Sequence, residues 1–278
     1  MAKMYAMTEF QGGGAAKNTL LKGSIQTVLA NFQKESSKQK GFTLAEVLIT
    51  LGIIGLVAAM TMPALIGSAK KRETVSKLQK SYNVLSQLVI RAQEDNGPVS
   101  FPSGKLSADV AETFFKLYWI PYFNSPTVVP DGQDFKTEDG RTGFIYKKLD
   151  GNVYDTAIRT AYSQGRITLT GLDGITYYID IMKWEVIYDD DGNQVSQIAQ
   201  YNTSQRVIVD INGPKNPNMF GKDVFTFVVN FDDSTVRPQG YNKTPSEIAA
   251  NCSKNGTGLY CAAKIIADGW EIKDDYPW

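Results

Sequence analysis

The 278-residue chain contains no histidine. That absence removes the commonest general base, the Ser-His-Asp and Cys-His arrangements of nucleophilic catalysis, and every histidine-bearing metal site. Only two cysteines occur, without the C-x-x-C spacing of a redox or zinc pair. Net charge is missing as well, with 29 basic residues against 29 acidic ones. A nucleic-acid-binding surface needs a basic patch, and everything after residue 41 is mildly acidic, so no specific nucleic-acid partner is expected. No pair of carboxylates can be nominated for acid–base work. The composition reads as that of a non-enzyme.

One further scarcity is local. From Val47 to Ala69 there is no charged residue. A helix of about 20 apolar residues crosses the ~30 Å hydrocarbon core of a bilayer. Charge is unevenly placed around this run: residues 1–41 carry a net +4 and the remainder −4. Positive flanks stay cytoplasmic, which predicts a single span with the amino terminus inside and the bulk of the chain across the membrane. Glu46 is the one anion just inside the start of the apolar helix. A carboxylate there is costly in lipid unless it finds a partner, which marks it as functional. An ordinary secretory signal has an apolar core ahead of a small-residue cleavage site, and none is present ahead of Gly41.

The stretch Lys40-Gly41-Phe42-Thr43-Leu44-Ala45-Glu46 resembles the processing site of type IV pilins and of the pseudopilins of type II secretion and DNA-uptake machines. The resemblance covers Lys40 to Pro63. It implies cleavage between Gly41 and Phe42 by a prepilin peptidase, N-methylation of Phe42, and an assembly role for Glu46 as the fifth mature residue. Gly41 has no side chain, so a peptidase can approach the backbone closely there, and the implied cut would leave an α-amine as the cationic partner for Glu46 of the same or a neighbouring subunit. The apolar core follows this cut and is retained. Pro63 falls where pilins often carry a helix-kinking proline. The implied partners are the peptidase, other pilin or pseudopilin subunits, an inner-membrane assembly platform and membrane lipid, and the implied location is the bacterial inner membrane and then a filament. The implied leader, residues 1–41, is longer than such leaders usually are.

Past Ala69 the sequence turns polar with Lys70-Lys71-Arg72-Glu73. Apolar residues then recur at Val75, Leu78, Tyr82, Leu85, Val89 and Ala92, spacings of three and four that define one helical face suited to packing on a sheet. Asn96-Gly97-Pro98 stops the helix. The segments expected are thus a cytoplasmic leader (1–41), a transmembrane or filament-core half of a helix (42–69), an amphipathic half (70–96) and an extracytoplasmic head (97–278). Gly52 and Gly55 serve close helix approach or are the ordinary glycine of membrane helices.

In the head, Ser107 caps a predicted helix that ends near Trp119, with Phe114, Phe115 and Leu117 as core. Residues 124–163 read as a variable loop region with a short helix near Tyr154 to Tyr162. Strand signals follow at Arg166–Thr170, Ile175–Ile181, Glu185–Tyr188, Arg206–Ile211 and Val224–Phe231, with hairpin connections at Gly171–Gly174 and Asp190–Asn193. Short links imply a mostly antiparallel sheet, giving an α+β, pilin-like fold: a long amino-terminal helix packed on the sheet of the head.

The loop from Asp210 to Asp223 offers hard oxygens at Asp210, Asn212, Asn216, Asn218 and Asp223. Ca²⁺ takes six to eight such ligands, and some major pseudopilins hold calcium in a loosely similar connection. The spacing is irregular, and Asn, Asp, Gly and Pro are also what a tight loop needs; the plain loop is favoured and no cofactor is required. Thr244-Pro-Ser-Glu247 is a capping-box pattern that starts a helix toward Cys252. Cys252 and Cys261, an even pair in the part read as outside, favour a disulfide. The aromatic tail, Trp270, Tyr276 and Trp278, docks on the head or on a partner. The functional expectation is a structural filament subunit, of the minor kind given its length, against the alternative of a membrane-anchored binding or adhesion protein that never polymerises.

Overall fold

The computed structural model describes residues 41–102, 106–133, 145–154, 159–188, 191 and 194–278. The leader proposed for residues 1–41 therefore lies outside the described residues, apart from Gly41. The chain divides into two compact units, one up to Pro63 and one from Ala64 onward.

Helix α1 runs over Leu44–Asn96 with Pro63 inside it. Up to Pro63 its large apolar side chains are exposed, Ile54 and Leu56 among them. The helix is long and apolar enough to cross a membrane, and none of its most apolar stretch is buried within the chain. The few polar side chains here return to their own helix. Thr50 Oγ1 donates to the Val47 carbonyl (3.0 Å) and Thr61 Oγ1 to that of Val57 (3.0 Å). Such internal satisfaction is what hydrocarbon demands of a polar group.

In the second unit the periodic positions behave as their spacing predicts. Leu78, Leu85, Val89 and Ala92 are buried, with Val75 and Tyr82 half-buried against the same core. Ser81 and Leu88 join them. The hydroxyl of Ser81 escapes an unmet polar demand by donating to the Lys77 carbonyl at 3.0 Å. Helix α2, Ala108–Tyr118, begins at the Ser107 cap, whose hydroxyl accepts from the Val110 N–H. Phe114 and Phe115 are core as expected, whereas Leu117 is 45% exposed, because the helix turns that position away from the cluster.

The sheet has six strands: β1 (Thr127–Val128), β2 (Arg166–Thr170), β3 (Thr176–Tyr188), β4 (Gln194–Asp210), β5 (Val224–Asn230) and β6 (Thr235–Pro238). Every pairing is antiparallel, and the spatial order equals the chain order. Two expected strands, Ile175–Ile181 and Glu185–Tyr188, are one: β3 passes through an irregularity between Asp180 and Met182 that shifts its register against β4, as one extra residue in a ladder does. The helix expected near Tyr154 to Tyr162 is absent from its described part; Ala161 bridges to Arg166 and a 3₁₀ turn begins at Tyr162. The tip of the β3–β4 hairpin is outside the described residues except for Asp191.

Alternation along the strands gives the sheet two inner faces. Tyr177, Ile179, Val207, Val209 and Phe227 meet α1 and α2 in the main core. Tyr82 of α1 lies 6.1 Å, ring to ring, from Phe227 of β5, and Gln93 Nε2 donates to the Phe231 carbonyl at 2.5 Å. The intervening residues Tyr178 and Ile208 form a second, smaller cluster with Tyr146, Phe220 and Val224. Helix α3, Pro245–Asn251, starts from the expected capping box of Thr244 and Glu247. Cys252, at its end, is bonded to Cys261, which opens helix α4, Cys261–Ala267.

Candidate functional site

Gly41 and Phe42 precede the first turn of α1, and both are exposed. Thr43 and Glu46 close on each other. The Thr43 backbone N–H and hydroxyl donate to Glu46 Oε2 at 2.8 and 2.9 Å, and the Glu46 N–H donates back to Thr43 Oγ1 at 3.2 Å. This is a capping box: it satisfies donors that every helix start leaves bare, and it sets a negative group at the positive end of the helix dipole. Glu46 thus finds its first partners in its own chain through one oxygen. Oε1 takes no partner among the described residues. The T-x-x-E spacing of Thr43 and Glu46 could have been read from sequence, and Thr43 is the residue that reading missed.

The second candidate is the loop between β4 and β5. It turns through Gly213 (φ +66°), a cis Asn216–Pro217 bond and Asn218 (φ +52°). Asp210 and Asp223 face each other at its base, both buried. Asp223 accepts from the backbone N–H groups of Asn218 (2.8 Å) and Met219 (2.7 Å), with a further bond from the Asn212 side chain. Asp210 accepts from the Asn212 N–H at 3.2 Å. With its amide nitrogen turned inward, Asn218 donates to the carbonyls of Lys215 (3.1 Å) and Gly213 (3.2 Å) and to Asp210 Oδ2 (3.3 Å). Four of the five oxygen-bearing residues therefore gather here, while the Asn216 side chain stays at the surface. The amide closes the loop from within. Among the described residues no three His, Cys, Asp or Glu side chains come together as metal ligands.

The acids are kept from ionising easily. Burial, and then the charge of Asp223, pushes the Asp210 carboxyl well above the ordinary aspartate range. Burial likewise raises Asp223, against the pull of the Met219 and Asn218 N–H groups. Burial and then the charge of Asp210 push the neighbouring Tyr146 phenol well up. The loop is tied to the tail at Gly221, where φ is +80° and a Cβ would lie 2.7 Å from Cys261 Sγ. The Tyr276 hydroxyl donates to the Gly221 carbonyl. Tyr276 thus docks on the head as part of the core, Trp270 is half-buried and Trp278 remains exposed.

The family model of the prokaryotic N-terminal methylation motif matches residues 36–62. The chain therefore carries the signature of type IV pilins and pseudopilins on the segment that holds Gly41, Phe42 and Glu46. No curated protein and no solved structure matches the chain.

Proposed function

We propose that the chain is a structural subunit, of the minor kind, of a type IV pilus-like or type II secretion pseudopilus filament. A prepilin peptidase cuts between Gly41 and Phe42, the new amine is methylated, and the apolar half of α1 anchors the subunit in the inner membrane with the head outside. On assembly this half leaves lipid for the filament core, where Oε1 of Glu46 meets the amine of a neighbouring subunit. The observation that carries the reading is the methylation motif over residues 36–62. A helix whose apolar side chains find no cover in their own chain supports it. The minor assignment rests on the 237 residues that follow Gly41, long for a major subunit.

Glu46→Ala tests the proposal. The expected result is loss of filament or of secretion with normal membrane insertion. Unchanged assembly would instead support a tethered binding protein that does not polymerise. Mass spectrometry of the mature amino terminus is expected to show methylated Phe42 as the first residue.

A further inference from the structure

Directly after the uncharged run come Lys70, Lys71 and Arg72. Cations at the far end of a span run against the cytoplasmic bias of such residues, so they call for a local reason. Two grooves flank this part of α1. One, of about 350 Å³, lies between Ser68–Gln79 of the helix and Trp270–Ile272 of the tail, and is lined by Lys71 and Arg72. The other, of about 330 Å³, lies between Lys70–Lys77, the loop after β4 and Trp278, and is lined by Lys70 and Lys222.

Little in the chain neutralises these cations. Among the described residues Lys70, Arg72 and Lys222 make no ion pair, and Lys71 reaches only the fully exposed Asp274, at 3.9 Å. Glu73 is taken up by Lys77 at 2.8 Å, Glu271 lines the first groove and the buried Asp223 lines the second. By lining residues the first groove sets two cations against one anion and the second three against two, a surplus of one positive charge in each. Each groove also carries a tryptophan, the residue whose amphipathic ring settles at a membrane–water interface. Trp270 is held there at φ +63°, a left-handed conformation that a bulky side chain avoids. Its backbone N–H donates to the Ile265 carbonyl (2.8 Å) and its ring packs 5.5 Å from that of Tyr82. Depth agrees with charge. At ~1.5 Å of rise per residue, Lys70 to Arg72 fall within ~5 Å of the end of the apolar run, inside the headgroup layer of a bilayer.

We propose that the two grooves seat anionic phospholipid headgroups of the leaflet on the head's side, the cations taking the phosphates and the two indoles lying at the interface. The inference rests on the membrane-anchored reading above. It gives the cations beyond the span a task, which is to hold the subunit at a set depth until it is extracted.

The test uses the full chain in neutral detergent, with phosphatidylglycerol or phosphatidylcholine added and retained lipid counted by native mass spectrometry. Phosphatidylglycerol is expected to be retained in preference. Lys70→Gln, Lys71→Gln, Arg72→Gln and Lys222→Gln are each expected to weaken its retention, by about fivefold per cation, and the fourfold variant to hold both lipids alike. Circular dichroism of that variant should match the parent, because all four side chains lie outside the core. Equal retention of both lipids by the parent chain, or retained preference in the fourfold variant, would overturn the proposal. Reconstitution into phosphatidylcholine vesicles separates the two levels: insertion without lipid preference sinks the grooves alone, whereas recovery of the chain in the aqueous phase sinks the anchored reading too. Retention of an acidic protein in place of lipid on the same cations would also overturn it.

Discussion

The two halves of α1 obey the same local rules and end in opposite conditions. From residue 70 onward, positions spaced by three and four are covered by the sheet, so Leu78, Leu85 and Val89 are wholly inaccessible. Before it, Leu48, Ile54, Leu56 and Met60 stand out on every side with no cover in their own chain. An amphipathic stripe points to one partner surface, here the sheet. A helix that is apolar all round has no such direction and needs an apolar medium or copies of itself. The difference teaches where the chain is self-sufficient. The head completes its own core and cross-link; the apolar half completes only its backbone, its threonine hydroxyls and the Thr43–Glu46 cap.

The comparison can be broken first at Leu85. Leu85→Ala should lower the stability of the head by about 2–5 kcal/mol, measured by urea unfolding in detergent; a cost under 1 kcal/mol would mean that the helix and sheet are not one packed core. Replacing both Cys252 and Cys261 by serine should cost about 2–3 kcal/mol by the chain-entropy estimate for a loop of this size, read in the same way.

Asp210 sharpens the contrast, because it is a buried acid set against a second buried acid inside the head. Its folded-state pKa is raised, so the native state holds the proton more tightly than the unfolded chain. The stability this contributes is present at low pH and is lost as pH rises from the ordinary aspartate range through the raised value. Asp210→Asn, which keeps the acceptor and removes the charge, should stabilise by about 1–2 kcal/mol, with a larger gain over the parent at pH 8 than at pH 5. Calcium chloride is expected to change neither profile, since the Asn218 amide closes the loop; a calcium-dependent rise in Tm would put a cation in that amide's place. The smallest effect belongs to the apolar half. Leu56→Ala should change head stability by no more than about 0.5 kcal/mol.

Legibility followed burial. The face of α1 over residues 75–92 and strand β2 were readable because apolar residues recur at the matching period, every third or fourth residue on the helix and at Ile167 and Leu169 on the strand. The first half of β4, Gln194–Gln205, was not, because it is a polar stretch whose residues up to Tyr201 pair with β3 alone, without a sustained apolar alternation in the sequence. β6 was hidden by Pro238, which marks an edge strand, and it is the last strand of the sheet. β1 has two residues, too few for any period. At the assembly segment Gly41, Phe42 and Glu46 were legible as a motif, while the Thr43 cap was overlooked because caps are sought ahead of amphipathic runs. At the acid loop, composition named Asp210 and Asp223, but only the fold could bring Asn218 onto Asp210 and leave Asn216 outside.

The order of the sheet bears on how such a chain matures. From β3 onward each strand is hydrogen-bonded to the one made just before it across a short link, so none of these strands has to wait for a distant stretch of polypeptide to arrive. Closing short loops in succession is the low-entropy route to a sheet. A chain that emerges from its amino-terminal side can zip this sheet in the order of emergence, and the Cys252–Cys261 cross-link can close only after the last strand has been made.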